Sequence, residues 1–382
     1  MLLAVIGLTV GCSDDSDERN ASGSSTSITL VPYAPSYIDA ESLAGGTRAE
    51  NDWIPGGYLP YSQLLGVDAM MKTNEGASIG AFFTKGSEFY VRQFKRRPSG
   101  NGKWDIHEEE IANGDYQLYG YVPFSAVPSD KASIAPYGSY AAGATLTLAG
   151  LNSVMNQDVC VVVGAKDGNK VAENSYTFDE GRPLKTGDFD CEIKPGTENY
   201  LFLLFDHIYS ALRFRFRVDT KYAELRTIKL TRLDLMAYSD DDFLLPMPKN
   251  MRATVTLQKT SGTSPLVGDI VFTSDGGGDM EKVLIFSGEE DLPSAEGQYT
   301  SHLGFVPKAG RYYELHSTYD VYDRQGNTVR KSCVAVNKID IRSRFNQDLK
   351  RGYMYTLNLT VMPTYLYVLS EPDLDNPTVT VN

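Results

Sequence analysis

Leu212-Arg213-Phe214-Arg215-Phe216-Arg217-Val218 alternates apolar and basic residues without a slip. In an extended chain successive side chains point to opposite faces. Leu212, Phe214, Phe216 and Val218 then share one face, and the three arginines share the other. On a helix of about 3.6 residues per turn the same residues would scatter around the axis. The stretch predicts a half-buried antiparallel strand with one wet face.

The same pattern recurs on both sides of it. Tyr355-Thr356-Leu357-Asn358-Leu359-Thr360-Val361 alternates in the same way. Ile228-Lys229-Leu230 starts in one phase and Leu233-Asp234-Leu235 continues in the other, which predicts a β-bulge near Thr231-Arg232. Arg324-Gln325-Gly326-Asn327 separates Tyr319-Asp320-Val321-Tyr322 from Thr328-Val329-Arg330, a hairpin signal. Pro98-Ser99-Gly100-Asn101-Gly102 does the same between Phe89-Tyr90-Val91 and Trp104-Asp105-Ile106. Helical periodicity is sparse. Gln63 to Lys72, with Leu64, Leu65, Val67, Met70 and Met71 apolar, predicts one short helix. Many short strands with turns between them imply an all-β protein of packed sheets.

A chain of 382 residues exceeds what one small core needs, so two domains are expected. The boundary is predicted at Lys194-Pro195-Gly196-Thr197-Glu198-Asn199, where a polar stretch gives way to the apolar run Tyr200-Leu201-Phe202-Leu203-Leu204-Phe205. The divisions are then 26–194 and 195–382. A net charge of −13 argues against a nucleic-acid partner, whose phosphates would repel it.

The chain opens Met1-Leu2-Leu3-Ala4-Val5-Ile6-Gly7-Leu8-Thr9-Val10-Gly11-Cys12. The apolar run is too short to span a bilayer as a helix, which takes about 20 residues, and has the length of a signal-peptide core. Leu8-Thr9-Val10-Gly11-Cys12 resembles a bacterial lipobox, which makes 1–11 a signal peptide and Cys12 the acylated (palmitate-type) first residue. Two features depart from that pattern: Thr9 stands where Leu is usual, and no Lys or Arg precedes the run. The alternatives are an ordinary signal peptide or a frayed apolar terminus. Residues 12–25, beginning Ser13-Asp14-Asp15-Ser16-Asp17-Glu18 after the cysteine, are too polar to fold and read as a flexible tether.

Candidate chemistry is thin. Gly76-Ala77-Ser78-Ile79-Gly80 fits a nucleophile elbow, but Ala81-Phe82-Phe83-Thr84 reads as strand where that motif needs a helix. In His107-Glu108-Glu109-Glu110 adjacent side chains point apart, a poor acid/base arrangement. Asp240-Asp241-Asp242 and Asp275-Gly276-Gly277-Gly278-Asp279 offer oxygen ligands for calcium without the EF-hand spacing. Arg92, Lys95, Arg96 and Arg97 form one basic cluster, read as a solvated hairpin arm. Tyr116, Tyr119 and Tyr121 could stack on sugar rings, though cross-strand packing is the commoner use. Beyond Cys12, Cys160, Cys191 and Cys333 are an odd set, which leaves at least one free thiol. Cys160 and Cys333 lie in apolar strand-like runs and read as buried residues. The histidines and cysteines show no zinc-like spacing. No enzyme, no cofactor and no metal is expected.

The order of these features resembles the Bacteroidales fimbrillins. A lipobox with an acidic tail is followed by a Ser/Thr-rich strand and by Gly46-Thr47-Arg48-Ala49. Tyr116 to Pro123, Asp158 to Gly164, Phe205-Asp206-His207-Ile208 and Tyr355 to Val361 follow. The resemblance implies two tandem transthyretin-like β-sandwich domains with few short helices. It further implies a subunit of a type V pilus that mediates adhesion. Such a subunit is exported as an outer-membrane, surface-exposed lipoprotein and joins the fimbrium after processing. Its partners are other pilus subunits, the outer membrane through the lipid, and surface glycans or proteins. In that family a protease cuts after an arginine beyond the first strand; Arg48, followed by Ala49, is the matching position, within a first segment of 26–48. The cut frees a groove that another subunit's strand fills. Ile28 and Leu30 of Ser27-Ile28-Thr29-Leu30-Val31 would plug the groove beforehand. Residues 364–382, with Leu366, Val368, Val379 and Val381, would be the donor strand, or else ordinary edge strands. Within the family, a non-polymerising anchor or tip adhesin is the rival; outside it, a glycan-binding surface lipoprotein.

Overall fold

A computed structural model describes residues 27–35, 37–40, 64–66, 78–96, 104–106, 111–127, 129–172, 175–177, 184–196, 198–239, 243, 245–259, 270–278, 281–307, 312–345, 348–364 and 373–381. In chain order the strands are β1 (Ser27–Pro35), β2 (Ile38–Asp39), β3 (Leu64–Gly66), β4 (Ser78–Lys85), β5 (Glu88–Arg96), β6 (Trp104–Ile106), β7 (Gly114–Val122) and β8 (Ala132–Tyr137). Next come β9 (Ser139–Leu151), β10 (Cys160–Ala172), β11 (Ser175–Thr177), β12 (Asp190–Ile193), β13 (Glu198–His207), β14 (Ser210–Val218), β15 (Thr227–Tyr238) and β16 (Met251–Gln258). The last are β17 (Ile270–Ser274), β18 (Val283–Asp291), β19 (Thr300–Val306), β20 (Tyr312–Tyr322), β21 (Thr328–Asp340), β22 (Tyr353–Thr364) and β23 (Asp373–Val381). Among the described residues the α-helices are the single turns Thr220–Ala223 and Ile341–Phe345. The chain is all-β and built from several sheets, as the alternation requires.

The first sheet closes on itself. Its order runs β10-β13-β1-β6-β5-β4-β7, and β7 pairs back onto β10 through Cys160↔Val122 and Val161↔Tyr121. Seven strands thus form a ring, with β11, β12 and β3 attached to it. Alternation gives the ring two apolar faces. One core gathers Ile79, Phe83, Phe94, Leu118, Val162 and Leu203, drawn from the ring's own strands, and is its interior. A second core sets Phe82, Tyr119 and Phe202 of the ring's outer face against Leu146, Leu148 and Val255. Those three belong to the four-stranded sheet β17-β16-β9-β8.

The third core is a two-layer sandwich. Leu212, Phe214, Phe216 and Val218 of β14 are all buried, with Arg213, Arg215 and Arg217 on the wetter face. β14 pairs antiparallel with β19 and parallel with β22, so the expected antiparallel strand has one neighbour of each kind. Arg215 lies over the Tyr299 ring at 4.2 Å, and Arg213 meets Asp39 at 2.9 Å. The opposing layer is β18-β15-β20-β21. The bulge expected near Thr231-Arg232 is present: the β15 register shifts between Leu230 and Arg232 against both neighbours. The shift keeps Ile228, Leu230, Leu233 and Leu235 in one core. Both hairpins form, β20–β21 around Gly326, whose φ of 83° suits glycine, and β5–β6 through Phe94↔Ile106.

Two readings need revision or relocation. Gln63 to Lys72 reads as helical, yet Leu64–Gly66 is a strand paired with Tyr33–Pro35 of β1; pairing with β1 overrides a short apolar periodicity. The rest of that stretch lies outside the described residues. Pro195 and Gly196 turn the chain into β13, which runs between β10 and β1 inside the ring, so a division at 194–199 would cut the ring. Ala40 and Val154 already reach the sandwich core, β14 is the first full-length strand to line it, and β16 later returns to the sheet flanking the ring.

Candidate functional site: the first strand in its ring

β1 is a stave of the ring. It runs parallel to β13 over seven positions, Ser27↔Glu198 to Tyr33↔Leu204. On its other side it pairs with β6 at two positions, Thr29↔Asp105 and Leu30↔Trp104, and with β3 at three. Its contact is therefore unequal, long on β13 and short on β6.

Ile28 (5% exposed) and Leu30 (1%) belong to the interior core, with Leu201, Leu203 and Phe205 of the adjacent β13. Val31 is buried in the outer core, and Thr29 is buried as well. The sequence suggests one buried face for this strand; the structure buries both, because the ring's outer surface is itself covered.

The chain continues from β1 across to the sandwich. The Tyr37 hydroxyl donates to Asp158 Oδ1 at 2.7 Å, and its ring lies 3.9 Å from that of His207. Burial, then the Asp158 carboxylate, pushes the Tyr37 phenol well above its ordinary value, so it stays a donor. Ile38 and Asp39 pair with Tyr353 and Met354 of β22, and Asp39 accepts from Arg213. The segment 27–39 thus fills a slot in one unit and part of an edge in the other.

That edge of β22 also carries the C-terminal strand. β23 pairs antiparallel with it from Leu359↔Val381 to Thr364↔Asp373, and Val381 packs against the sandwich core. Val379 lies opposite Val361. Cys12, Arg48, Ala49, Leu366 and Val368 lie outside the described residues, as do His107 to Glu110, Asp240 to Asp242, Asp279 and Arg97.

The remaining sequence candidates are placed as follows. Tyr116, Tyr119 and Tyr121 are buried and donate to the Ala112, Tyr140 and Val127 carbonyls, so they pack rather than present rings to a ligand. Asp275 is held by Arg252 at 2.7 Å. Arg92 donates to the Val91 carbonyl and lies over the Tyr90 ring. Cys160, Cys191 and Cys333 are all buried. Ser78 opens β4, and its hydroxyl accepts from Gln93 Nε2 at 2.8 Å. With strand after it and 3% exposure, it should resist a fluorophosphonate probe; stoichiometric labelling at Ser78 would show it to be an activated nucleophile.

Sequence reasoning missed one grouping. Asp158, Cys160 and His207 converge at one end of the ring, next to Tyr37, with all three side chains buried. Burial and then Asp158 raise the Cys160 thiol well above its usual value. The signal available was weak: Asp158 and Cys160 sit two apart, but His207 is 47 residues from Cys160.

No family model matches the chain, and no curated protein does. Several solved structures are similar to it. One is a Bacteroides fragilis protein provisionally assigned to cell adhesion, at 11% identity and a TM-score of 0.43, covering 93% of this chain and 97% of that one. A fimbrial protein of Bacteroides vulgatus matches at 13% identity and a TM-score of 0.32, covering 93% and 98%. The fimbrial anchor protein Mfa2 of Porphyromonas gingivalis matches at 9% identity and a TM-score of 0.24, covering 93% and 97%. Likeness at that distance carries neither role, partners nor chemistry across.

Proposed function

We propose that the chain is a fimbrillin-type subunit of a bacterial surface pilus with a role in adhesion, whose first strand is a removable stave. The observation that supports this is the seating of β1: the first described strand, completing a ring, buried on both faces and paired along two edges. Cut from the rest of the chain at Arg48, such a strand is held only by its pairing and its buried side chains. Its departure would open two unpaired strand edges and empty apolar sites, a template for another strand. In this reading Arg48 and Ala49 flank the cut, Ile28 and Leu30 are the plug, and a strand from residues 364–382 of a neighbouring subunit is the donor. The test is whether native cleavage after Arg48 turns monomers into polymers.

A second reading has its own support. β23 is already paired with β22 of the same chain, so the candidate donor is occupied. A non-polymerising anchor, tip adhesin or glycan-binding lipoprotein would keep it there. Cleavage with no polymer would favour this reading.

In both readings Cys12 carries the lipid that holds the protein at the outer membrane. An acyl chain contributes about 0.8 kcal/mol per buried methylene, and more than one chain makes anchoring firm. Cys12→Ala should move the protein from the membrane to the soluble fraction. Unchanged partitioning would remove the lipoprotein assignment while leaving the strand argument intact.

A further inference from the structure

We propose that Asp158, Cys160 and His207 bind one thiophilic divalent cation, zinc being the ordinary biological case. The ring assembles the donors. Cys160 and His207 are direct partners across the β10–β13 pairing, and Asp158 lies two residues before Cys160. One carboxylate oxygen, the Cys160 Sγ and one imidazole nitrogen all lie within 4.8 Å of one another. His207 Nδ1 is 2.8 Å from Asp158 Oδ2 and 3.5 Å from Cys160 Sγ.

A zinc ion takes thiolate sulfur at about 2.3 Å and imidazole or carboxylate at about 2.0–2.2 Å, with tetrahedral angles. Ligand atoms in such a site stand roughly 3.3–3.7 Å apart. The sulfur–nitrogen separation already fits, and the nitrogen–oxygen pair needs to open by about half an ångström. A mixed sulfur, nitrogen and oxygen set selects zinc-like ions over magnesium or calcium, which prefer oxygen alone. A thiolate, a carboxylate and a neutral imidazole together cancel a double positive charge, so the loaded site would bury no net charge.

The surroundings suit such a site. Tyr37 donates to Asp158 Oδ1 and leaves Oδ2 facing the histidine. Arg351 donates to the His207 carbonyl and to Asp206, which fixes the end of β13. A nucleophilic triad does not fit the same geometry. There the histidine would offer one nitrogen to the thiol and the other to the carboxylate, whereas here Nδ1 faces both.

The experiment refolds the full chain with and without added zinc or cobalt, dialyses against a mild chelator, and measures bound metal and cobalt absorption. Wild type should retain one equivalent, show a thiolate-to-cobalt charge-transfer band, and unfold at a higher temperature when loaded. Cys160→Ser and His207→Gln should lose the metal and the band. Cys191→Ser and Cys333→Ser should keep both. Circular dichroism establishes that each variant is folded. Folded wild type that holds no stoichiometric metal overturns the proposal, leaving a hydrogen-bonded core cluster. So does a charge-transfer band that survives Cys160→Ser.

Discussion

Native trypsin treatment is expected to convert the monomer into heat-labile, SDS-resistant ladders, and Arg48→Ala is expected to abolish them. Before the cut β1 occupies the ring, so nothing can add. The Ala44-to-Ala49 stretch around Arg48 is small and polar and carries Gly45-Gly46, the composition of a loop that a protease can reach. Losing β1 empties the sites of Ile28, Leu30 and Val31, worth about 1.5–3 kcal/mol each. It also breaks pairing over seven positions with β13, at roughly 1 kcal/mol net per hydrogen bond. Association costs about 4–15 kcal/mol. The apolar contribution alone falls within that range, so the backbone pairing decides that an incoming strand binds. The donor must first leave β22, whose register with β23 spans Leu359 to Thr364. A chain ending at Pro363 lacks the donor and should be cut without forming ladders. If Arg48→Ala ladders as well as wild type, the switch lies elsewhere. If no variant ladders and the first strand stays bound after cutting, the anchor, tip or glycan-binding reading takes over.

The second large effect is on stability. Leu30→Ala should cost about 2–5 kcal/mol, because Leu30 is 1% exposed inside the ring and its loss leaves a cavity. Leu30→Asp should cost more, since it places a carboxylate among Leu201, Leu203 and Phe205. Val336→Ala, on a residue 48% exposed, should change stability by about 0.5 kcal/mol or less. Urea unfolding followed by far-UV circular dichroism measures all three. The same Leu30→Ala change should speed release of the strand after cutting. Equal midpoints for Leu30→Ala and Val336→Ala would mean that β1 is not held as the ring implies.

Much of the architecture was legible in local pattern. The period-2 run 212–218 lies as a strand with its four apolar residues buried. The phase slip at Thr231-Arg232 appears as a register shift, and the Arg324–Asn327 signal joins β20 to β21. Burial of Tyr116, Tyr119 and Tyr121 follows from the commoner use of tyrosine in sheets. Helical periodicity over Gln63 to Lys72 gives way to strand at Leu64–Gly66 because a short apolar run fits either period until a partner strand is known.

Alternation along the chain therefore determined by itself that this protein is all-β, which face the 212–218 and 355–361 strands bury, and where β15 bulges. It did so because the side-chain period of a strand depends only on extended backbone geometry. The tertiary structure alone decided that β7 returns to β10 and closes a ring, and that β1 is a stave buried on both faces. It also decided that Cys160 faces His207 beside Asp158. Those outcomes depend on which distant segments pair and in what register. A strand's own sequence shows which face is apolar but not which partner will cover it.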